Sequence, residues 1–145
     1  MIGEQIQAFG INKNTYMNLQ TPKVEVSKNA QELFTFLTDL NNFEQLMPET
    51  KEKFEVEGDS FIFALKGMPE IRLVLKEKNE FDKIVLGAAS SKLSFTLTAA
   101  IEAISDKASK VQLLFNGDFN PMMAMMVKKP LQKFIDTLSE NMQSL

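Results

Sequence analysis

The sequence contains no cysteine and no histidine in its 145 residues. The first absence removes disulfides, thiolate nucleophiles and zinc–sulfur sites together. The second removes the side chain used most often as a general base and as a transition-metal ligand. A serine nucleophile wants an adjacent base, and no histidine exists to serve it. Arg72 is the only arginine, which is poor equipment for bidentate recognition of phosphates or base edges. No apolar run approaches the ~20 residues of a membrane span. The formal net charge of −3 gives no broad attraction to nucleic acid or to an anionic membrane. KGMP at 66–69 and GDFNP at 117–121 are turns without the pattern of a phosphate loop. The charges at Glu49, Lys51 and Glu52 alternate in sign, which suits a solvated surface better than a metal cage. These absences imply no metal, no cofactor, no nucleic-acid partner and no stable membrane insertion.

What is present describes an ordinary globular chain, with 44% apolar and 24% charged residues. Its length suits one domain that buries roughly 70% of its unfolded surface. Residues 1–16 show no clear period, carry Glu4 and lack the apolar core of a signal peptide. They read as a leader or flexible N-terminal extension, with Met17 as an alternative initiator. The rival reading is a short helix packed on the domain. A single domain over 17–145 and a cytoplasmic location are the default expectations.

The patterned sequence then changes period twice. KVEVS at 23–27 alternates as a short strand does. Asn29, with Glu32 three residues on, has capping-box spacing ahead of a helical face of Ala30, Leu33, Phe34 and Leu37. Asp39 caps a second short helix carrying Leu40, Phe43, Leu46 and Met47, which Pro48 ends. From 49 to 119 the period is 2. Runs around Phe54, Phe61–Leu65, Ile71–Leu75, Ile84–Ala89, Leu93–Ile101 and Val111–Phe119 are separated by polar or glycine turns. Strands so closely spaced form an antiparallel meander.

The last stretch, NPMMAMMVKKPLQKFIDTLSENMQSL at 120–145, is one long amphipathic helix. Asn120 supplies the N-cap and Pro121 sits at N1, where a missing N–H costs nothing. Met123, Val127, Leu131, Phe134, Leu138 and Met142 form a single apolar stripe at 3.6 residues per turn. Pro130 removes the hydrogen bond to the Met126 carbonyl, which predicts a kink near 126–130. Met122, Met123, Met125 and Met126 make the first turns apolar nearly all round. Four readings of them stay open: core at the helix start, a pliable pocket mouth, a homodimer or partner contact through Met122 and Met125, and a membrane-touching patch beside Lys128-Lys129.

This order of elements, with DLNNFEQLMPE at 39–49 and GDFNPMMAMMVKKPLQKFIDTL at 117–138, resembles the START-like, or SRPBCC, superfamily. That group includes polyketide cyclases, lipid-transfer domains, birch-pollen-allergen-type proteins and CoxG-like proteins. The resemblance covers about 23–145. It implies an α+β helix-grip fold: a curved seven-stranded antiparallel sheet wrapped around the C-terminal helix, with two short helices after the first strand. It also implies a pocket for a hydrophobic ligand between sheet and helix. The sequence departs from the pattern in placing phenylalanine where relatives often have tryptophan in the second short helix. It also lacks the Arg, His and Tyr residues that cyclase-type pockets often use.

If the more apolar strand parity faces inward, the concave face presents Phe63, Leu65, Leu73, Leu75, Leu86, Ala88, Leu97, Ala99, Leu113 and Phe115. The long helix adds Met123, Met126, Val127, Leu131 and Phe134, and the short helices add Phe36, Leu40 and Phe43. Taken singly, each of these reads first as packed core and second as pocket wall; the resemblance and the small inward residues are what favour a cavity for the set. Ala88, Ala99 and Gly117 are small residues at inward positions, where they leave room. The expected function is non-catalytic binding of a hydrophobic or amphipathic small molecule, lipid-like or polycyclic. A polyketide cyclase or dehydratase-like enzyme is the first alternative, and an interaction module with a filled core is the second. For catalysis the candidate carboxylates are Asp39, Glu102 and Asp118. Asp39 fits a helix cap better, and the other two have outward parity. Lys66 and Lys76 have two readings, as partners of a ligand carboxylate at the cavity rim or, as is usual for exposed strand lysines, as solvated groups with no specific role.

Overall fold

The computed structural model describes residues 15–89 and 94–145. Residues 1–14 of the expected leader, and Leu93, lie outside the described residues. In chain order the elements are β1 (Thr15–Gln20), β2 (Val24–Val26), α1 (Ala30–Thr38), a 3₁₀ helix (Leu40–Leu46), β3 (Lys51–Glu57), β4 (Ser60–Leu65), β5 (Ile71–Asn79), β6 (Lys83–Ala88), β7 (Ser94–Ala103), β8 (Ser109–Phe119) and α2 (Pro121–Gln143). The strands form one antiparallel sheet in the order β1-β8-β7-β6-β5-β4-β3, and β2 also pairs with β8. The chain is therefore a curved sheet with a long C-terminal helix, the α+β architecture expected from the sequence.

The first strand starts earlier than the alternation at 23–27 indicates. β1 pairs Thr15–Gln20 with Phe119–Leu114, and β2 continues down the same edge, opposite Val111–Ser109. Between them Pro22 offers no N–H to the ladder. Thr21 bridges the gap: its N–H donates to the Leu113 carbonyl and its Oγ1 accepts from the Leu113 N–H, both at 3.0 Å. β1 and β2 thus act as one interrupted strand, and the sheet is seven strands wide. Met17 and Leu19 are buried while Tyr16, Asn18 and Gln20 are exposed, so the division proposed between residues 16 and 17 falls inside a strand.

The caps form where the residue types place them. The Asn29 side chain accepts from the Glu32 N–H at 2.8 Å, and the Glu32 carboxylate accepts from the Asn29 N–H at 2.9 Å. Asp39 caps the next segment by accepting from the Asn41 N–H at 3.1 Å. That segment is a 3₁₀ helix, because its buried residues Leu40, Phe43 and Leu46 repeat every three positions and so eclipse on one side. Asn120 accepts from the Met123 N–H at 2.8 Å and starts α2, which stays helical through Pro130 to Gln143.

Burial follows the apolar stripe of α2, which puts Val127, Leu131, Phe134, Leu138 and Met142 inside together with Ala124 and Ile135. At about 1.5–3 kcal/mol for each large apolar side chain, that face outweighs the modest helix propensity of the segment. The helix rests on β8, β1, β2 and the 3₁₀ helix, while α1 covers β6, β7 and β8. The far edge strand β3, KEKFEVE, carries alternating lysine and glutamate, which keeps an unpaired edge from adding further strands.

Candidate functional site

Two groups of stacked phenylalanines divide the interior. From the 3₁₀ helix to α2 runs one chain of rings: Phe43 to Phe61 at 5.3 Å, Phe61 to Phe63 at 5.9 Å, and Phe63 to Phe134 at 4.9 Å. At the other end of the sheet Phe95, Phe115 and Phe119 stack on one another, with Phe95 and Phe115 5.3 Å apart. Between these groups, under the first half of α2, lies a cavity of about 190 Å³. It exists because α2 leans on the β1–β8 side of the sheet and α1 covers only β6, β7 and β8. On the β4–β5 side α2 stands farther off and meets the sheet through long side chains, as where Phe134 stacks on Phe63.

The cavity brings together Phe63, Leu73, Leu97, Phe115, Met123, Val127, Leu131 and Phe134. The remaining sequence candidates sit elsewhere. Leu40 and Phe43 are packed in the core beneath the 3₁₀ helix, and Leu86, Ala99 and Leu113 are packed with the residues that α1 covers. Phe36 and Leu75 are half-buried against that core. Leu65 faces a neighbouring cleft, and Ala88 lines a separate depression with Ile62, Arg72 and Phe95. Met126 points to solvent with 66% of its surface exposed, because it lies off the buried stripe. Met122 and Met125 are likewise outside, at 73% and 85%. The methionines therefore split: Met123 lines the cavity, and the other three form an exposed patch beside it.

Sequence reasoning missed Met68, Pro69, Glu70, Ile71, Phe95 and Phe119, all of which line the cavity. Phe95 and Phe119 had the inward parity of their strands and were legible. The 68–70 segment was not, because a Gly-Met-Pro break gives no sign that the turn folds over a cavity mouth. Gly67 makes that turn with a φ of 83°, a conformation that favours glycine.

Gly117 was expected to leave room, but the room is taken. A methyl group built there meets the Phe95 Cβ at 2.7 Å and the Phe119 ring at 3.0 Å. Glycine is what lets these two rings close the end of the cavity. Gly117→Ala is expected to cost about 1–3 kcal/mol through this overpacking, read as a lower midpoint in urea unfolding.

The polar content of the wall is small. Among the described residues Glu70 is its one titratable side chain, and its carboxylate accepts from Lys53 Nζ at 3.0 Å. That hydrogen bond, with Glu55 nearby, holds the Lys53 ammonium above its usual pKa. The other candidates for chemistry are engaged away from the cavity. Asp39 caps the 3₁₀ helix, Glu102 pairs with Lys23 at 3.2 Å, and Asp118 is exposed at the turn into α2. Arg72 donates to Ser60 Oγ at 2.8 Å on the outer face. The Lys76 stem lies across Gly87, also outside. Among the described residues no cluster of acidic side chains suits a metal ion, and no helix is long and apolar enough to cross a membrane.

No protein-family model matches the sequence, and no curated protein is significantly similar to it. Solved structures are similar in fold. Norcoclaurine synthase from Thalictrum flavum superposes with a TM-score of 0.66 at 13% identity, over 97% of this chain and 94% of that one. The KanY protein superposes with a TM-score of 0.71 at 10% identity, over 90% and 97%. The di-domain aromatase/cyclase StfQ of the steffimycin pathway does so at 0.67 and 10%, over 89% of this chain and 50% of that one. A curved antiparallel sheet closed by a C-terminal helix is common to the comparison, and the chain shares that helix-grip fold.

Proposed function

We propose that this chain binds a small hydrophobic or amphipathic molecule in the cavity between the sheet and α2. The observation that carries this reading is the cavity itself: about 190 Å³, walled by aromatic and aliphatic side chains, with a single carboxylate at its margin. Ligand sites are mostly apolar concavities with a few placed polar groups. A dry cavity of about 150 Å³ suffices for benzene, so the space suits a body of one or two rings. A long acyl chain or a larger polycycle needs Met68, Met123 or the 68–70 turn to move. Norcoclaurine synthase has been crystallised with dopamine and hydroxybenzaldehyde, ligands of this one-ring size.

A catalytic reading draws on the likeness to StfQ, and among the described residues it rests on Glu70 alone. One carboxylate already paired with Lys53 supplies neither the second acid–base group nor the activated nucleophile that most such chemistry uses. Binding without turnover is therefore the better fit. Native mass spectrometry of protein purified gently from cells is expected to show a co-purifying apolar molecule that is released on denaturation. Ligand-free protein that also takes up no one- or two-ring compound when these are added would overturn the proposal.

A further inference from the structure

A second concavity adjoins the apolar one and differs from it in charge. It has a volume of about 410 Å³ and lies between the middle of α2 and the segments leading into β3 and out of β4. Met68 and Phe134 line both spaces and form the partition between them. Around the second stand Lys66, Lys129 and Lys133, with Thr50 and Thr137 and no carboxylate among its lining residues. Lys129 and Lys133 are one turn apart on α2 and share a face. Lys66 follows β4 directly, and its N–H donates to the Thr50 carbonyl at 3.3 Å, which fixes the start of its side chain.

Lys23, Lys51, Lys53 and Lys83 each have a carboxylate partner. Among the described residues Lys66, Lys129 and Lys133 make no ion pair. Three unpaired ammonium groups around one cleft, in a chain of net charge −3, repel one another and create a local positive potential. An anion seated among them relieves that repulsion. The acid on the cavity side, Glu70, is already held by Lys53.

We propose that this cleft receives an anionic group carried by the ligand. The apolar body fills the cavity, and a carboxylate or similar singly charged group reaches past Met68 and Phe134 to Lys66, Lys129 and Lys133. The inference rests on the cavity being the binding site and adds the chemical class of its occupant, an amphipathic anion.

Calorimetric titration with naphthaleneacetate and its neutral isostere naphthaleneacetamide tests this. The wild-type chain is expected to bind the carboxylate about tenfold more tightly than the amide. That preference should shrink in about 1 M salt, where charges are screened within about 3 Å. In the triple variant Lys66→Met, Lys129→Met, Lys133→Met, both compounds should bind with the amide's wild-type affinity. Equal binding of the two compounds by the wild type, or an undiminished preference in the triple variant, overturns the anion site and leaves the cavity reading standing. If neither compound binds the wild type, the cavity reading fails and takes this inference with it.

Discussion

Val127→Trp is expected to lower the affinity for one- and two-ring apolar compounds by about 100-fold or more while the fold is retained. Val127 is buried on α2, one turn from both Met123 and Leu131, and its side chain faces the cavity. An indole projecting from this position occupies the space assigned to the ligand. The substitution replaces one apolar group by a larger one where a void exists, so the overpacking cost of about 1–3 kcal/mol in a filled core is largely avoided. The native chain has no tryptophan, so the new indole also reports on itself. Its emission should be strongly blue-shifted and insensitive to aqueous quenchers. A red, quenchable emission, or undiminished ligand affinity, would mean that the ring is not in the cavity or that ligands bind elsewhere.

Phe134→Ala is expected to destabilise the protein by about 3–5 kcal/mol, a large share of the ~5–15 kcal/mol available to a domain. Phe134 is 3% exposed, stacks on Phe63 at 4.9 Å, and stands between the cavity and the lysine cleft. Its removal deletes the end of the ring chain that runs to Phe43 and joins the two spaces into one. Urea unfolding at constant slope should show the loss. A larger apolar compound that binds the wild type poorly should bind the variant better, because the joined space admits it. A loss below about 1 kcal/mol would show that the ring is not the keystone the packing indicates.

The sequence made the frame of this fold legible and its emptiness only partly so. Asn29, Asp39 and Asn120 declared the helix starts, and the alternation through Phe63, Leu73, Leu97 and Phe115 declared the concave face. The same period-2 signal continues through Met17 and Leu19, but the unpatterned residues before them and Pro22 after them hid that strand. Which inward residues pack and which line a void does not follow from parity. Leu113 and Phe115 sit on the same face of β8, yet Leu113 is packed in the core while Phe115 lines the cavity. That difference is set by where α1 and α2 lean, a tertiary property that no window of sequence contains. Gly117 teaches the same lesson in reverse, since the space beside a small residue was filled by Phe95 of the neighbouring strand and by the ring of Phe119 two residues along its own.

The most direct test of the central claim uses the nine methionines as reporters. Titrating methyl-labelled protein with naphthalene should shift the Met68 and Met123 methyl resonances saturably and with one common affinity. Met122, Met125 and Met126, exposed on the outside of α2, should stay where they are. Shifts confined to those three exposed methyls, with Met68 and Met123 unmoved, would contradict the assignment of the cavity as the binding site.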